Sequence, residues 1–210
     1  MSVGQRAATT LLGLIITTVA GCHSSRANAP IAMNDRARVY AVVLQELERE
    51  SRADWIVVDS LLPTDEIDVE VKEKAIRELP VSRRSIDAFL DVQSASVDRF
   101  QSIALPSARW MTVSVERLDS LRAAVRAEIA VVTPRSSGND AFWQVWQRRF
   151  PGSAGYVTLS PASISDDGVT ALVQVRTACG SVCGETVLRR LRRDSGGTWH
   201  TTGKLTLSER

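Results

Sequence analysis

The chain has 210 residues, of which 44% are hydrophobic and 24% are charged. These proportions exclude an intrinsically disordered protein, because enough apolar surface exists to offset the entropy lost on ordering. With 26 Lys and Arg residues against 24 Asp and Glu residues, the net charge of +2 is too balanced to indicate a nucleic-acid partner. The length predicts one domain or two small ones.

The first 22 residues carry the features of an exported lipoprotein. Arg6 supplies a positive charge, and residues 7–19 form an uncharged, mostly apolar stretch, shorter than the roughly 20 residues of a transmembrane helix. Residues 19–22 then read Val-Ala-Gly-Cys. This order resembles the signal peptide and lipobox of bacterial lipoproteins, in which the cysteine becomes the lipid-bearing N-terminus. The resemblance implies a signal peptide over residues 1–21 and lipidation of Cys22; the alternative is an ordinary secretory signal with an unrelated cysteine.

Lipidation would anchor the protein to a membrane without a spanning helix, since each buried acyl CH₂ contributes about 0.8 kcal/mol. Within residues 22–33, the resemblance implies the lipid on Cys22, and the small and polar residues that follow it predict a flexible tether. Because His23, and not Asp, follows the cysteine, the sorting rule of bacteria with two membranes predicts the outer membrane, with the domain facing the periplasm. The expected location is therefore the bacterial cell envelope.

The first half of the remaining chain predicts helices and two short strands. Apolar residues at three- and four-residue steps predict a helix over residues 35–50, and the apolar run at residues 54–59 predicts a buried strand. The next helix covers residues 64–79, with Thr64 as its cap and Pro80 after its end. Further elements are a helix with Ile86, Phe89, Leu90 and Val97, a strand over residues 109–115, and a helix with Leu118, Leu121, Val125 and Ile129.

The second half predicts a short helix over residues 140–150 and then antiparallel strands. Asp-Gly and Gly-Gly turns between alternating runs are strong hairpin signals. The predicted strands are residues 155–164, 169–177, 185–193 and 198–207. The expected fold class is therefore α+β: a helical N-terminal half with two short strands, packed on a C-terminal four-stranded antiparallel meander. We expect a single domain over residues 34–210, with a boundary near residues 134–139 as the alternative.

A series of short motifs runs through the C-terminal third of the chain. After the aromatic pair Phe142-Trp143 come PGSAG at residues 151–155, LS at 159–160, DG at 167–168, ALVQV at 171–175, CGSVCG at 179–184, and Trp199. In this order the segment resembles a group of uncharacterised bacterial proteins, many of them exported. The resemblance implies one connected domain with a recurrent cysteine loop, and it implies no activity. This chain departs from the pattern at Arg189 and Arg190, where more apolar residues are expected.

Cys179 and Cys183 form an even pair once Cys22 is assigned to the lipid. They flank a loop between two predicted strands, so the hairpin can bring their Cα atoms within the roughly 4.4–6.8 Å that a disulfide requires. An exported location supplies oxidising conditions for a structural disulfide. Two alternatives stay open. One is a redox-active pair, although the spacing is CxxxC and not the CxxC of thioredoxin-like motifs. The other is a copper site formed by Cys179, Cys183 and His200.

The sequence indicates no catalytic residue and no cofactor. His23 lies in the predicted tether, and His200 follows Trp199 in the last strand, a position that favours a surface residue over a general base. The GSAG sequence at residues 152–155 follows a helix and not a strand, so it predicts a helix end and not a nucleophile.

Two groups of residues have both a structural and a ligand-binding interpretation. The first group is the strand arginines Arg189, Arg190, Arg192 and Arg193. For them, a solvated strand is favoured over an anion site that binds lipid headgroups or acidic glycans. For the tryptophans Trp143, Trp146 and Trp199, a place in the core is favoured over a ligand cleft.

The favoured function is a lipid-anchored, non-enzymatic binding or interaction module. Its expected partners are the membrane, through the N-terminal lipid, and an unknown protein or small molecule. Redox or copper handling by the Cys179–Cys183 pair is the alternative function.

Overall fold

A computed structural model describes residues 33–61, 67–93, 105–132 and 138–209. The predicted signal peptide, Cys22 and the tether up to residue 32 lie outside the described residues. The helices are α1 (Met33–Ser51), α2 (Val69–Glu78), α3 (Arg83–Gln93), α4 (Val115–Val132) and α5 (Gly138–Arg149). The strands are β1 (Trp55–Leu61), β2 (Met111–Val113), β3 (Gly155–Leu159), β4 (Ser163–Ile164), β5 (Thr170–Ala178), β6 (Gly184–Arg193) and β7 (Trp199–Glu209).

The expected α+β class is confirmed, but the sheet is larger than the predicted meander. Seven strands form one mixed sheet in the order β2-β1-β3-β5-β6-β7, with β4 paired to β5 off this path. β1 runs parallel to both β2 and β3, whereas β3, β5, β6 and β7 pair antiparallel in succession. The predicted meander is therefore matched only in part: β5, β6 and β7 are antiparallel neighbours, but the two N-terminal strands, expected to pack on the meander, are hydrogen-bonded into the same sheet.

The predicted strand over residues 155–164 is interrupted between β3 and β4. At Ser160 the side-chain hydroxyl accepts a hydrogen bond from the Gln174 backbone N–H at 2.9 Å. Pro161 has no N–H to donate to a neighbouring strand. The Ala162 N–H donates to the Tyr40 hydroxyl at 2.8 Å, on α1 rather than on a strand. These three residues divide the predicted strand into two.

Helices cover both faces of the sheet. Alternate residues of a strand point to opposite faces, and in β1 Trp55 and Val57 pack in the α1 cluster while Ile56 and Val58 pack in the α4–α5 cluster. On the α4–α5 face, a third cluster joins α2 and α3 to Leu172 of β5, Leu188 of β6 and Leu205 of β7. The face opposite α1 therefore carries two helix pairs side by side.

Two helix boundaries show how local chemistry sets an element's ends. α2 begins at Val69, where Asp68 is the N-cap and accepts from the Val71 backbone N–H at 2.8 Å. The predicted cap Thr64 lies outside the described residues. The helix ends at Glu78, before Pro80, as expected.

Within the described ranges, no helix combines the length and the apolar character that a membrane span requires.

Candidate ligand cavity beside the disulfide loop

Cys179 and Cys183 are joined by a disulfide in the loop between β5 and β6. Their Cα atoms lie 5.1 Å apart, and the Cys179 backbone N–H also donates to the Cys183 carbonyl at 3.1 Å. The disulfide therefore closes a loop whose two ends are already joined by a backbone hydrogen bond. This geometry fits the expected disulfide. Cys183 and Val182 are exposed, so the tip of the loop faces solvent.

A glycine allows the base of this loop to lie close to β3. Gly155, the first residue of β3, has a φ of +156°, and a Cβ built there would lie 1.9 Å from the Ala178 carbonyl oxygen. Any other residue would force the strands apart at this point. The start of β3 is thereby held against the residues that lead into the disulfide.

The loop forms one wall of a cavity of about 390 Å³, which we call the loop cavity. The helices α4 and α5, the strand β3 and the loop-proximal ends of β5, β6 and β7 supply the other walls. Its chemically distinctive lining residues are Arg122, Arg126, Trp143, Tyr156, Arg176 and Cys183. Elements distant in the chain thus contribute to one opening on the α4–α5 face.

Aromatic rings form part of the cavity wall. Trp143 and Tyr156 are half-buried and stack with their ring centroids 5.9 Å apart and their planes 13° apart. Behind them, Trp146 is fully buried and donates its indole N–H to the Ser153 hydroxyl at 2.9 Å. The core interpretation therefore holds for Trp146 and Trp199, which are buried, while Trp143 lines the cavity.

Positive charge converges on the loop cavity. Arg122 donates through Nη2 to the Tyr156 hydroxyl at 3.0 Å and lies over that ring, with its Cζ 5.8 Å from the ring centroid. It also pairs with Asp119 at 3.2 Å, which holds the guanidinium in place. Arg126, one helical turn further along α4, is exposed, and Arg176 enters half-buried from β5. Glu185 is the acidic residue among the described lining residues.

The strand arginines form no common anion site, and for Arg189 the expected solvated position is wrong. Arg189 is fully buried and donates to Glu46 at 3.0 Å and to Glu50 at 2.9 Å, both on α1. Lys204 of β7 also contacts Glu50. We call these four residues the Arg189 network. Arg189 and Arg190 both depart from the apolar pattern, so that departure did not identify which of the two is buried.

The other strand arginines have separate surroundings. Arg193 pairs with Asp35 of α1 at 3.3 Å, and Arg190 donates to the Thr202 hydroxyl at 3.2 Å. Arg192 is exposed, as the interpretation of a solvated strand expects.

His200 is not near the disulfide. It pairs with Arg192 across the ladder, eight residues along β6 from Gly184, so about 26 Å separates it from the cysteine loop. The proposed set of Cys179, Cys183 and His200 is therefore not brought together. His200 instead contacts Asp194 at 2.9 Å in the β6–β7 turn. Two hydrogen bonds lower the pKa of Asp194: the larger effect comes from the Thr198 backbone N–H, and the smaller one from the His200 side chain. Across the described ranges, no three His, Cys, Asp or Glu residues are grouped as metal ligands.

No protein-family model, curated protein or solved structure matches this chain. The resemblance of the C-terminal motifs to exported bacterial proteins therefore stays a prediction. The geometry of the loop cavity and the chemistry of its lining residues are the basis on which a function can be proposed.

Proposed function

We propose that this chain is a lipid-anchored, non-enzymatic binding protein of the bacterial envelope, and that its ligand occupies the loop cavity. The observation that carries the binding site is the meeting of Arg122, Arg126 and Arg176 with the Trp143–Tyr156 stack in one cavity of about 390 Å³. Ligand pockets are typically about 300–1,000 Å³ and combine apolar walls with a few polar groups that orient the ligand. The loop cavity falls in this size range, and aromatic rings form one of its walls, while much of the remaining described lining is polar or charged.

The close packing behind the walls of the loop cavity supports the binding role. α4 and α5 pack on β1 through Ile56, Val58, Val125 and Trp146, all buried. On the opposite side, β5 and β6 pair over nine consecutive positions up to the disulfide loop. A site whose side chains are held by such packing loses little conformational entropy when a ligand binds.

The membrane anchor rests on the Val-Ala-Gly-Cys sequence at residues 19–22. If Cys22 carries the lipid, ten residues separate it from α1, and a chain of that length spans at most about 35 Å. The domain would then stay close to the membrane surface. We expect Cys22→Ser to abolish palmitate labelling and to release the protein from membranes. Unchanged labelling of the variant contradicts the anchor.

The binding site is tested by narrowing the loop cavity. Ser208 is exposed near the end of β7 and lines the cavity, so Ser208→Trp should obstruct it without disturbing the core. Ser195→Trp is the matched control, since Ser195 is exposed in the turn at the far end of β6 and β7. A library of small anionic and neutral compounds is then screened for ligands that raise the Tm.

We expect compounds that raise the Tm of the wild type and of Ser195→Trp but not that of Ser208→Trp. If no compound stabilises the wild type, or if the compounds that do so stabilise Ser208→Trp equally, the loop cavity is not the binding site.

Thiol–disulfide exchange is a second candidate function, because Cys183 is exposed at the tip of the loop. Its test is the reduction potential, measured by equilibration with glutathione and dithiothreitol buffers. A potential near −200 mV or higher, typical of catalytic disulfides, supports exchange, whereas a value below about −300 mV indicates a structural bond and excludes it.

A further inference from the structure

The two cysteines of the disulfide loop have different surroundings. Cys179 is half-buried and packs against the cluster of buried side chains that includes those of α1. Its Cα also lies close to the start of β3, where a Cβ built on Gly155 would come within 2.9 Å of it. Cys183 is exposed, and its neighbour Val182 is 81% exposed. One end of the bond is therefore held against the domain, while the other end faces solvent.

A glycine keeps the side of Cys183 open. A Cβ built on Gly180 would lie 3.5 Å from the Cβ of Cys183, which is an ordinary van der Waals contact. Gly180 does not have a positive φ, so its backbone conformation is one that other residues also adopt. A larger residue would therefore fit here and would occupy the space beside Cys183. The lack of a side chain at Gly180 leaves this cysteine accessible.

Access to sulfur determines how a disulfide reacts with a thiol. Exchange begins when a thiolate attacks one sulfur of the bond and expels the other, and the rate depends on access to the attacked sulfur. In this loop, access favours Cys183 over Cys179. Cys183 also lines the loop cavity, whose volume of about 390 Å³ leaves room for a small molecule beside it. A thiol of low molecular mass is therefore the class of reactant that fits.

We infer that Cys183 is the residue at which a low-molecular-mass thiol forms a mixed disulfide with this protein. The thiolate attacks Sγ of Cys183 and forms a new S–S bond with it, while the bond to Cys179 breaks and its electron pair passes to Sγ of Cys179. Attack of Cys179 on Cys183 reverses this step and expels the thiol. A second thiolate instead attacks the sulfur of the bound thiol, which releases a disulfide of two small thiols and leaves both cysteines reduced.

This inference deepens the second candidate function, because it assigns the two cysteines different roles in exchange. The two can fail separately. The reduction potential is an equilibrium quantity and decides whether exchange is a function, whereas relative rates decide which sulfur is attacked. A potential typical of a structural bond therefore excludes the function, and only the position of the mixed disulfide contradicts the inference.

The position of the mixed disulfide is measured on the full chain with Cys22→Ser, in which the loop holds the only cysteines. The oxidised protein is mixed with glutathione, and samples taken at early times are quenched with N-ethylmaleimide. Tryptic cleavage gives a peptide of residues 177–189 that contains both cysteines, and its fragmentation in the mass spectrometer locates each group. We expect glutathione on Cys183 and N-ethylmaleimide on Cys179. Glutathione found mainly on Cys179, or equally on both, overturns the inference.

Single-cysteine variants decide the question if the mixed disulfide is too short-lived to trap. In the same background, Cys179→Ser leaves Cys183 as a free thiol, and Cys183→Ser leaves Cys179. With oxidised glutathione, we expect Cys183 to form the mixed disulfide about tenfold faster than Cys179, because it is the more exposed of the two. Equal rates, or a faster reaction of Cys179, contradict the inference.

A shielding variant tests access to Cys183 in the intact disulfide. Gly180→Leu places a side chain beside Cys183, and we expect the rate of reduction by glutathione to fall by about fivefold. Ser195→Leu is the matched control, because Ser195 is exposed in the distant turn between β6 and β7, and it should leave the rate unchanged. A Gly180→Leu protein that is reduced as fast as this control would show that the thiol does not approach Cys183 from this side and would overturn the inference.

Discussion

At the scale of single residues, Arg189 stands out among the described residues as a charged side chain that is fully buried. Its side chain is 2% exposed, whereas those of its partners Glu46 and Glu50 are 17% and 40% exposed. An unpaired charge in the interior is far more costly than one that can reach water. The two halves of the Arg189 network should therefore respond differently to substitution.

Removal of the carboxylates should be more harmful than removal of the guanidinium. Glu46→Gln/Glu50→Gln leaves a buried cation without counter-charge, and we expect the free energy of unfolding to fall by about 3–5 kcal/mol. Arg189→Met fills a similar volume and leaves carboxylates that can turn to solvent, so its loss should be smaller. Lys204→Gln, which removes an exposed partner, should cost less than about 1 kcal/mol. Urea denaturation measures all three, and an Arg189→Met variant less stable than the double glutamine variant would contradict this asymmetry.

The same network predicts a pH dependence of stability. Burial raises the pKa of Glu50, but hydrogen bonds from Lys204 and Arg189 outweigh it and bring the pKa below its usual value. The ionised carboxylate therefore stabilises the folded state above the unfolded pKa of about 4.3. This contribution is lost as pH falls through the lowered folded pKa. We expect unfolding free energies to decrease from about pH 5 towards pH 3, and less steeply in Glu50→Gln. Parallel pH profiles of the two proteins would contradict a role for Glu50.

At the scale of elements, the β5–β6 hairpin is held mainly by its own ladder. Nine residue pairs run from Thr170↔Arg192 to Ala178↔Gly184, next to the disulfide. The covalent bond closes a loop with a sequence separation of only four residues. Its effect should therefore be local: it orders the loop that forms the wall of the loop cavity.

Replacement of both cysteines by serine should lower the free energy of unfolding by about 1–3 kcal/mol, because a short closed loop removes little entropy from the unfolded chain. The circular dichroism of the folded state should stay unchanged. Ligand affinity should fall, since Gly180 and Cys183 line the cavity. Wild-type protein treated with reductant is the control and should match the variant. Loss of the fold in the variant would mean that the disulfide supports the whole sheet.

At the scale of the whole molecule, the mixed sheet connects the two halves of the chain. β1 pairs with β2 on one side and with β3 on the other, so it bridges elements that precede and follow residues 134–139. The buried residues of α1 also pack on β5, far beyond that point. A boundary at residues 134–139 would divide both the sheet and the core.

We expect residues 34–210 to unfold in one cooperative transition. Protease cleavage near residue 136 should not release two fragments that each stay folded, because the N-terminal fragment would expose the edge of β1 that pairs with β3. Limited proteolysis followed by size-exclusion chromatography and circular dichroism provides the measurement. Two stable, separable fragments would establish two domains instead.

Local patterns predicted many of the individual elements, but not the start of α2 or the break between β3 and β4. Apolar spacing at residues 35–50 predicted α1, and the Gly-Gly sequence at residues 196–197 predicted the turn between β6 and β7. The short loop between Cys179 and Cys183 predicted their bond. These features depend on neighbours within a few residues, so periodicity, turn propensity and spacing determine them.

The tertiary structure alone decided the pairing of β1 with β3, the burial of Arg189 and the existence of the loop cavity. Each depends on residues far apart in the chain: Arg189 meets Glu46 across 143 positions, and the cavity joins α4 to the ends of β5, β6 and β7. A buried arginine and an exposed one have the same local sequence signal, and a strand's periodicity does not specify its partner. The burial of Arg189 and the lining of the loop cavity depend on how the helices pack on the sheet, because the environment of a charge is a property of the assembled fold.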